Sequence, residues 1–243
     1  LVSDGRGLGR HDGVVVLVED ALPGQLVRAR VDAVRKSLAE AALVEVLERS
    51  PDEQEPPCPH AGRCGGCAWQ SLAYGRQLAW KERIVHDALE RVGKVACPPM
   101  LPILPSPSEW GYRNKMEFAF GVSGDGGKAL GLRERGSRNI VEVTGCLLQT
   151  PLTMRVLEAV RMLSNGAFHD LDGRFLVVRE PNAGGCFVEL IVGAGGSLEA
   201  GERFAEALRA ETPEVTGFAL SERLAPSDVA YGERALYADG RLE

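Results

Sequence analysis

Cys58, Cys64 and Cys67 fall within ten residues of each other, in the run Cys58-Pro59-His60-Ala61-Gly62-Arg63-Cys64-Gly65-Gly66-Cys67. Proline and glycine keep this stretch out of helix and sheet, and the glycines allow the backbone to curl and turn N–H groups towards the sulfurs. A four-thiolate site needs one more ligand, and Cys97, Cys146 and Cys186 are the remaining cysteines. Three chemistries compete. Disulfides require an oxidising compartment, and no leader of the charged-then-apolar type is present to suggest one. Structural zinc normally pairs two C-x₂₋₄-C units, whereas here the fourth cysteine stands alone. An iron–sulfur cluster tolerates three close cysteines and one remote, which puts it modestly ahead of zinc on spacing. With four protein thiolates no iron is left open for a substrate, so a radical-generating cluster is disfavoured.

The remaining chain reads as small elements on both sides of this loop. Val14–Val18, Leu26–Val31 and Ala42–Leu47 are strand-like, although the stretch from Lys36 could be helical, and Ala21-Leu22-Pro23-Gly24 is a turn. Several short strands in about fifty residues suit a small barrel of the oligonucleotide-binding kind. Residues 50–59 are acidic and proline-rich and predict a linker, as does the run with five prolines at 98–107. Between them, residues 72–92 read as a helix stopped by Gly93, with Leu78, Ile84, Val85, Ala88 and Leu89 tending to one side. From Tyr112 the pattern is mixed. Strands are expected at 115–120, 129–133, 139–143, 175–179, 186–192 and 215–221, and helices at 151–163 and 198–210. The fold class is therefore mixed α+β: a β-barrel over 1–50, a linker, thiol loop and helix over 51–96, and a mixed α/β domain over 97–243.

Charge gives a limited statement about partners. The chain carries 28 Lys+Arg and 34 Asp+Glu, net −6. Residues 1–145 hold 19 of each sign and residues 146–243 hold 9 against 15, so the whole deficit lies in the last hundred residues. A neutral first part can still present a basic face to nucleic acid. No apolar run approaches the ~18–20 residues of a membrane span, so no membrane partner is expected. Gly193-Ala194-Gly195-Gly196 superficially spells a strand, turn and helix nucleotide site, but the G-x-G-x-x-G pattern needs glycine where Leu198 stands.

Taken together, several segments resemble the uracil-5 RNA methyltransferases, in particular the 23S ribosomal RNA branch. They are the thiol loop with Ala68-Trp69-Gln70, the run Trp110-Gly111-Tyr112-Arg113-Asn114-Lys115-Met116-Glu117-Phe118, and Leu130-Gly131-Leu132-Arg133-Glu134-Arg135 leading to Ile140-Val141-Glu142-Val143-Thr144-Gly145-Cys146. Residues 5–31 are similar to the TRAM domain that precedes the loop in that family. The resemblance covers essentially the whole chain and implies a [4Fe-4S] cluster held by Cys58, Cys64, Cys67 and Cys146, with an architectural role. It further implies RNA contacts by Arg113, with Lys115 and Arg133 as further candidates. In the family, a catalytic cysteine adds to C6 of a flipped uracil, C5 takes the methyl of S-adenosylmethionine, and elimination releases the product.

The nucleophile and the methyl-donor pocket belong in that family to a C-terminal Rossmann-like domain, expected shortly after Glu243. The chain starts at Leu1 without Met and is accordingly expected to be the RNA- and cluster-binding portion of a longer cytoplasmic bacterial enzyme, inactive by itself. A stand-alone metal-stabilised RNA-binding module, or a tRNA uracil-5 methyltransferase, is the alternative.

Overall fold

Short β-prone segments separated by tight turns open the chain. Strands β1 (Gly7–His11), β2 (Val14–Glu19), β3 (Leu26–Arg35) and β4 (Leu38–Glu48) form one sheet in the order β1-β2-β4-β3. Only β2 and β4 run parallel. The two-residue turns that join β1 to β2 and β3 to β4 contain Asp12, Gly13 and Lys36, all at positive φ, as a hairpin with right-handed strand twist requires. The computed structural model describes residues 1–226 and 228–240, in two compact units: Leu1–Gly62 with Cys67–Pro107, and Arg63–Gly66 with Ser108–Glu243.

The first unit departs from expectation in three places. Its sheet is open, with β1 and β3 at the edges, because four strands are too few to close into a barrel. The stretch after Lys36 is strand rather than helix, since Ala39 and Ala41 turn inwards at alternate positions, Ala41 joining Val18 and Ala21 in a small core. The start of the supposed linker is built into the fold. Ser50 is buried, Gln25 donates to Glu53 at 2.8 Å, and Gln54 N–H and Ala73 N–H donate to Ser71 and Asp52 carbonyls at 2.9 and 3.1 Å. These last bonds close the neck of the loop that carries the cysteines. Helix α1 (Tyr74–Asp87) follows and continues as a π-helical turn (Ala88–Val92) to Gly93, with no buried residue in either.

The second unit is a seven-stranded sheet built from β5 (Lys115–Val122), β6 (Lys128–Arg133), β7 (Ile140–Val141), β8 (Gly173–Arg179), β9 (Cys186–Val192), β10 (Val215–Glu222) and β11 (Arg234–Gly240). The order is β11-β10-β9-β8-β5-β6-β7. All pairs are antiparallel except β9 with β10, which are joined through helix α3 (Leu198–Glu211). Helix α2 (Pro151–Asn165) begins with proline in its first turn and Thr150 as N-cap, and Ser197 caps α3 in the same way.

Alternation decides which face of this sheet is covered. Met116, Phe118, Leu176, Val178, Val188, Leu190, Phe218 and Leu220 point to one side and share a core with Val156, Val160, Phe204 and Leu208 of the two helices. Phe168, Phe204 and Phe218 run through it as successive ring contacts at 4.8 and 5.4 Å. The opposite face holds a smaller cluster of Ala119, Ala129, Ile140, Phe175, Val177 and Ile191. Among the described residues no helix is long and apolar enough to cross a membrane.

Glycine spacing in Gly193–Gly196 follows from packing. A Cβ on Gly193 would meet Asp172 Oδ2 at 2.2 Å, and one on Gly196 would meet Leu236 Cδ1 at 2.4 Å. Both positions are filled by neighbours, which explains the glycines without a bound phosphate.

Candidate functional site

The middle of the thiol loop is held as an extra strand segment inside the second unit. Gly65 N–H donates to the Arg133 carbonyl at 3.0 Å, Arg135 N–H donates to the Arg63 carbonyl at 2.8 Å, and Cys64 forms a bridge with Glu134. A Cβ on Gly65 would lie 3.3 Å from the Arg133 oxygen, so glycine permits this approach. Gly66 N–H points at Cys64 Sγ over 3.4 Å, the kind of backbone donor that supports a thiolate. In the first unit, Ala61 N–H closes a turn on the Cys58 carbonyl at 3.0 Å and Cys58 N–H donates to the Gln70 side chain at 3.3 Å. Gly5 makes room for Ala68 and Trp69, whose atoms would lie 2.7 and 2.9 Å from a Cβ there.

Cys58, Cys64, Cys67, Cys97 and Cys146 are half-buried, and Cys186 is fully buried. Burial, reinforced by Glu180 and Glu214, pushes the Cys186 thiol up to about 12, so it stays protonated and inert at neutral pH. Among the described residues no three His, Cys, Asp or Glu side chains stand together as a metal-holding group. The donor chemistry of Cys58, Cys64, Cys67 and Cys146 suits a metal or cluster.

Cys146 lies on a segment fixed from several directions. Gln149 N–H donates to the Cys146 carbonyl at 3.0 Å. Glu180, at the end of β8, accepts from Thr153 N–H at 3.1 Å and from the hydroxyls of Thr150 and Thr153, which anchors the start of α2 directly after this segment. Gln149 itself is buried, with no partner for either side-chain amide atom among the described residues.

The expected RNA-contacting residues are placed as follows. Arg113 precedes β5 rather than lying within it, and its N–H donates to the Leu148 carbonyl at 3.0 Å, so it runs beside the Cys146 segment. Lys115 opens β5 and is ion-paired with Glu117 at 2.5 Å. Arg133 donates to the Arg138 carbonyl at 2.9 Å and to Asp228 at 3.0 Å, which gives it a share in holding the loop beside the Cys64 bridge. Arg179 is a residue that sequence reasoning passed over. It stands directly opposite Lys115 across the β5–β8 pair, a juxtaposition that only the strand register reveals. A separate cavity of about 320 Å³ lies at the end of α2, lined by Phe120, Lys128, Arg161 and His169 among others. The Arg161 guanidinium there is already committed to the Leu130 carbonyl and to Glu158.

Comparison with known proteins gives one picture. Residues 1–44 match the TRAM domain family. Over its whole length the chain is 45% identical to a protein described as an uncharacterized RNA methyltransferase from Nitratidesulfovibrio vulgaris, and spans 54% of that protein. Over 62% of the chain it is 41% identical to the 23S rRNA (uracil(1939)-C(5))-methyltransferase RlmD of Xanthomonas oryzae pv. oryzae, spanning 35% of it. The fold is similar, with a TM-score of 0.68 at 22% identity, to Pyrococcus abyssi tRNA (uracil-54, C5)-methyltransferase solved with S-adenosyl-L-homocysteine; the match spans 99% of this chain and 54% of that one. The chain thus has RNA methyltransferases as its relatives and spans about half the length of those that match it from end to end.

Proposed function

We propose that this chain is the RNA-binding and cluster-binding portion of an S-adenosylmethionine-dependent RNA uracil-5 methyltransferase acting on 23S rRNA. The observation that carries the reading is 45% identity to an RNA methyltransferase along the entire chain, in a sequence that also carries the thiol loop. The RlmD relative favours ribosomal RNA, while the fold neighbour acts on tRNA and supplies the alternative substrate.

Cys58, Cys64, Cys67 and Cys146 are the proposed ligands of a [4Fe-4S] cluster, and Gly66 N–H is a donor to one of the thiolates. When bound, the cluster supplies a cross-link between distant parts of the chain and no step of methyl transfer. S-Adenosylmethionine supplies the methyl group in the whole protein. Arg113 and Lys115 are the proposed contacts to RNA, with Arg133 a third candidate that also positions the loop.

The test has two arms. Anaerobically purified protein should contain about four iron and four sulfide per chain, and Cys146→Ala should lose them; stoichiometric zinc without sulfide overturns the cluster assignment. The full-length gene product, given S-adenosylmethionine, should form 5-methyluridine in 23S rRNA transcripts, read by mass spectrometry of digested nucleosides. Product in tRNA alone moves the substrate assignment to the alternative, and no 5-methyluridine in either overturns the reading.

A further inference from the structure

The helix-free face of the second unit is covered at one end and open at the other. At the covered end, the segment before β11 lies over the sheet. A Cβ on Gly232 would meet Ser221 Cβ at 2.3 Å and Glu189 Oε1 at 2.9 Å, and Ala230 packs against the small cluster below. Glu189 there is satisfied by the Ser221 hydroxyl at 2.7 Å.

At the open end, the register aligns three residues from neighbouring strands in one row. Lys115 of β5 pairs with Arg179 of β8, which pairs with Phe187 of β9. Their sequence neighbours Met116, Val178 and Val188 point into the helix-covered core, so Lys115, Arg179 and Phe187 all project from the other face. Phe187 is half-exposed, and its ring lies across Gly217 of β10, since a Cβ on that glycine would meet Phe187 Cδ2 at 2.6 Å and Cε2 at 3.1 Å. Glycine at 217 is thus what lets the ring lie down on the sheet. Arg179 has no ion-pair partner among the described residues, and Arg113 stands two residues before β5 begins at Lys115. Like charges directly opposite one another are unfavourable in a sheet. Glu117 offsets one of the two, which leaves the row with a positive surplus.

We propose that this row is a platform for single-stranded RNA, on which one base stacks against Phe187 while Arg179 and Lys115 take the adjoining phosphates. An aromatic ring lying on a β-sheet beside a row with a net positive charge suits unpaired nucleotides, whose bases are splayed out and whose backbone is charged, and it offers nothing to a duplex with stacked bases. The proposal rests on the RNA-binding reading above and adds to it the nucleic-acid form, the stacking residue Phe187 and the cation Arg179.

Fluorescence anisotropy with a labelled single-stranded oligoribonucleotide, and with the same sequence as duplex, tests it on the intact chain. Phe187→Leu keeps the bulk of the side chain and removes the ring. It should weaken single-strand binding about tenfold, the loss of one stacked base, and leave duplex binding unchanged. Arg179→Gln, a surface change, should weaken it about threefold and lower the salt slope by about 0.7, the share of one single-strand phosphate. A 5-iodouridine-substituted strand should photocross-link within 186–192. Unaltered single-strand affinity of both variants, with the parent protein binding normally, overturns the platform and leaves the RNA reading standing. A parent protein that binds no RNA overturns both. Cross-links confined to other segments, or concentration-dependent self-association that Phe187→Leu abolishes, assign the face to another use and overturn the proposal.

Discussion

Single side chains in this protein are distinguished mostly by what surrounds them rather than by what they are. Six identical thiols divide into five half-buried ones and Cys186, which is sealed under the helices with its proton held by burial and two carboxylates. The thiolate is the reactive species, so brief alkylation with iodoacetamide at pH 8 in the native, metal-free state should label Cys58, Cys64, Cys67, Cys97 and Cys146 and spare Cys186. Peptide mass spectrometry reads the outcome, and labelling of Cys186 at the rate of the others would contradict the burial. The thiol loop stood out from spacing alone, since three cysteines fall within ten residues. Arg179 was illegible for the opposite reason. Its partner Lys115 across the sheet lies more than sixty residues earlier in the chain, and no local pattern brings the two together. Gly217 and Gly131 were equally silent. A Cβ at Gly131 would stand 2.1 Å from the Val141 carbonyl oxygen, a requirement created by the β6–β7 approach and not by the strand's own sequence.

Elements followed their sequence signals wherever those signals were local. The capped helices α2 and α3 and the strands β8 and β9 lie within two residues of expectation, because proline, capping hydroxyls and alternation act over a few positions. Strand β11 went unread because it is an edge strand whose polar residues obey tertiary needs. Its Asp239 accepts two bonds from Arg209 of α3, at 2.8 and 2.5 Å, one from the Tyr237 hydroxyl at 2.5 Å and one from Phe218 N–H at 3.1 Å. Arg209 first, and then the Tyr237 and Phe218 donors, hold the Asp239 carboxyl down at about 2 against an ordinary 3.8, despite some opposing desolvation. A depressed carboxylate stabilises the fold above its ordinary pKa and loses that contribution as pH falls through the folded value. The shift corresponds to up to about 2 kcal/mol, and solvent screening of this partly exposed pair reduces it. Asp239→Asn should therefore lower the urea midpoint at pH 7, and the gap between variant and parent should close as pH is taken from about 4 towards 2. A gap that persists unchanged at pH 2 would show that packing rather than charge is at work.

Across the whole molecule, the two units differ in how much apolar surface they bury for their size. The core of the second unit draws on six strands of its sheet (β5, β6, β7, β8, β9 and β10) and two helices, and includes Phe118, Phe204, Phe218, Leu176, Leu190 and Leu208 at no more than 1% exposure. Each such side chain contributes about 1.5–3 kcal/mol. The first unit buries fewer and mostly smaller side chains, a cluster of Val18, Ala21 and Ala41 with Leu72, Ala39, Leu17 and Leu22 besides, and its helix α1 buries no residue at all. Helices of this length are marginal in water without tertiary packing, and local opening follows local burial. Hydrogen exchange at neutral pH should accordingly be slow at the amides of β8, β9 and β10 and faster by at least two orders of magnitude in α1, with β1 and β2 between them. Heating should release the α1 amides well before those of β9. Uniform protection across both units would mean that the molecule unfolds as one cooperative body, and the burial difference would then have no energetic consequence.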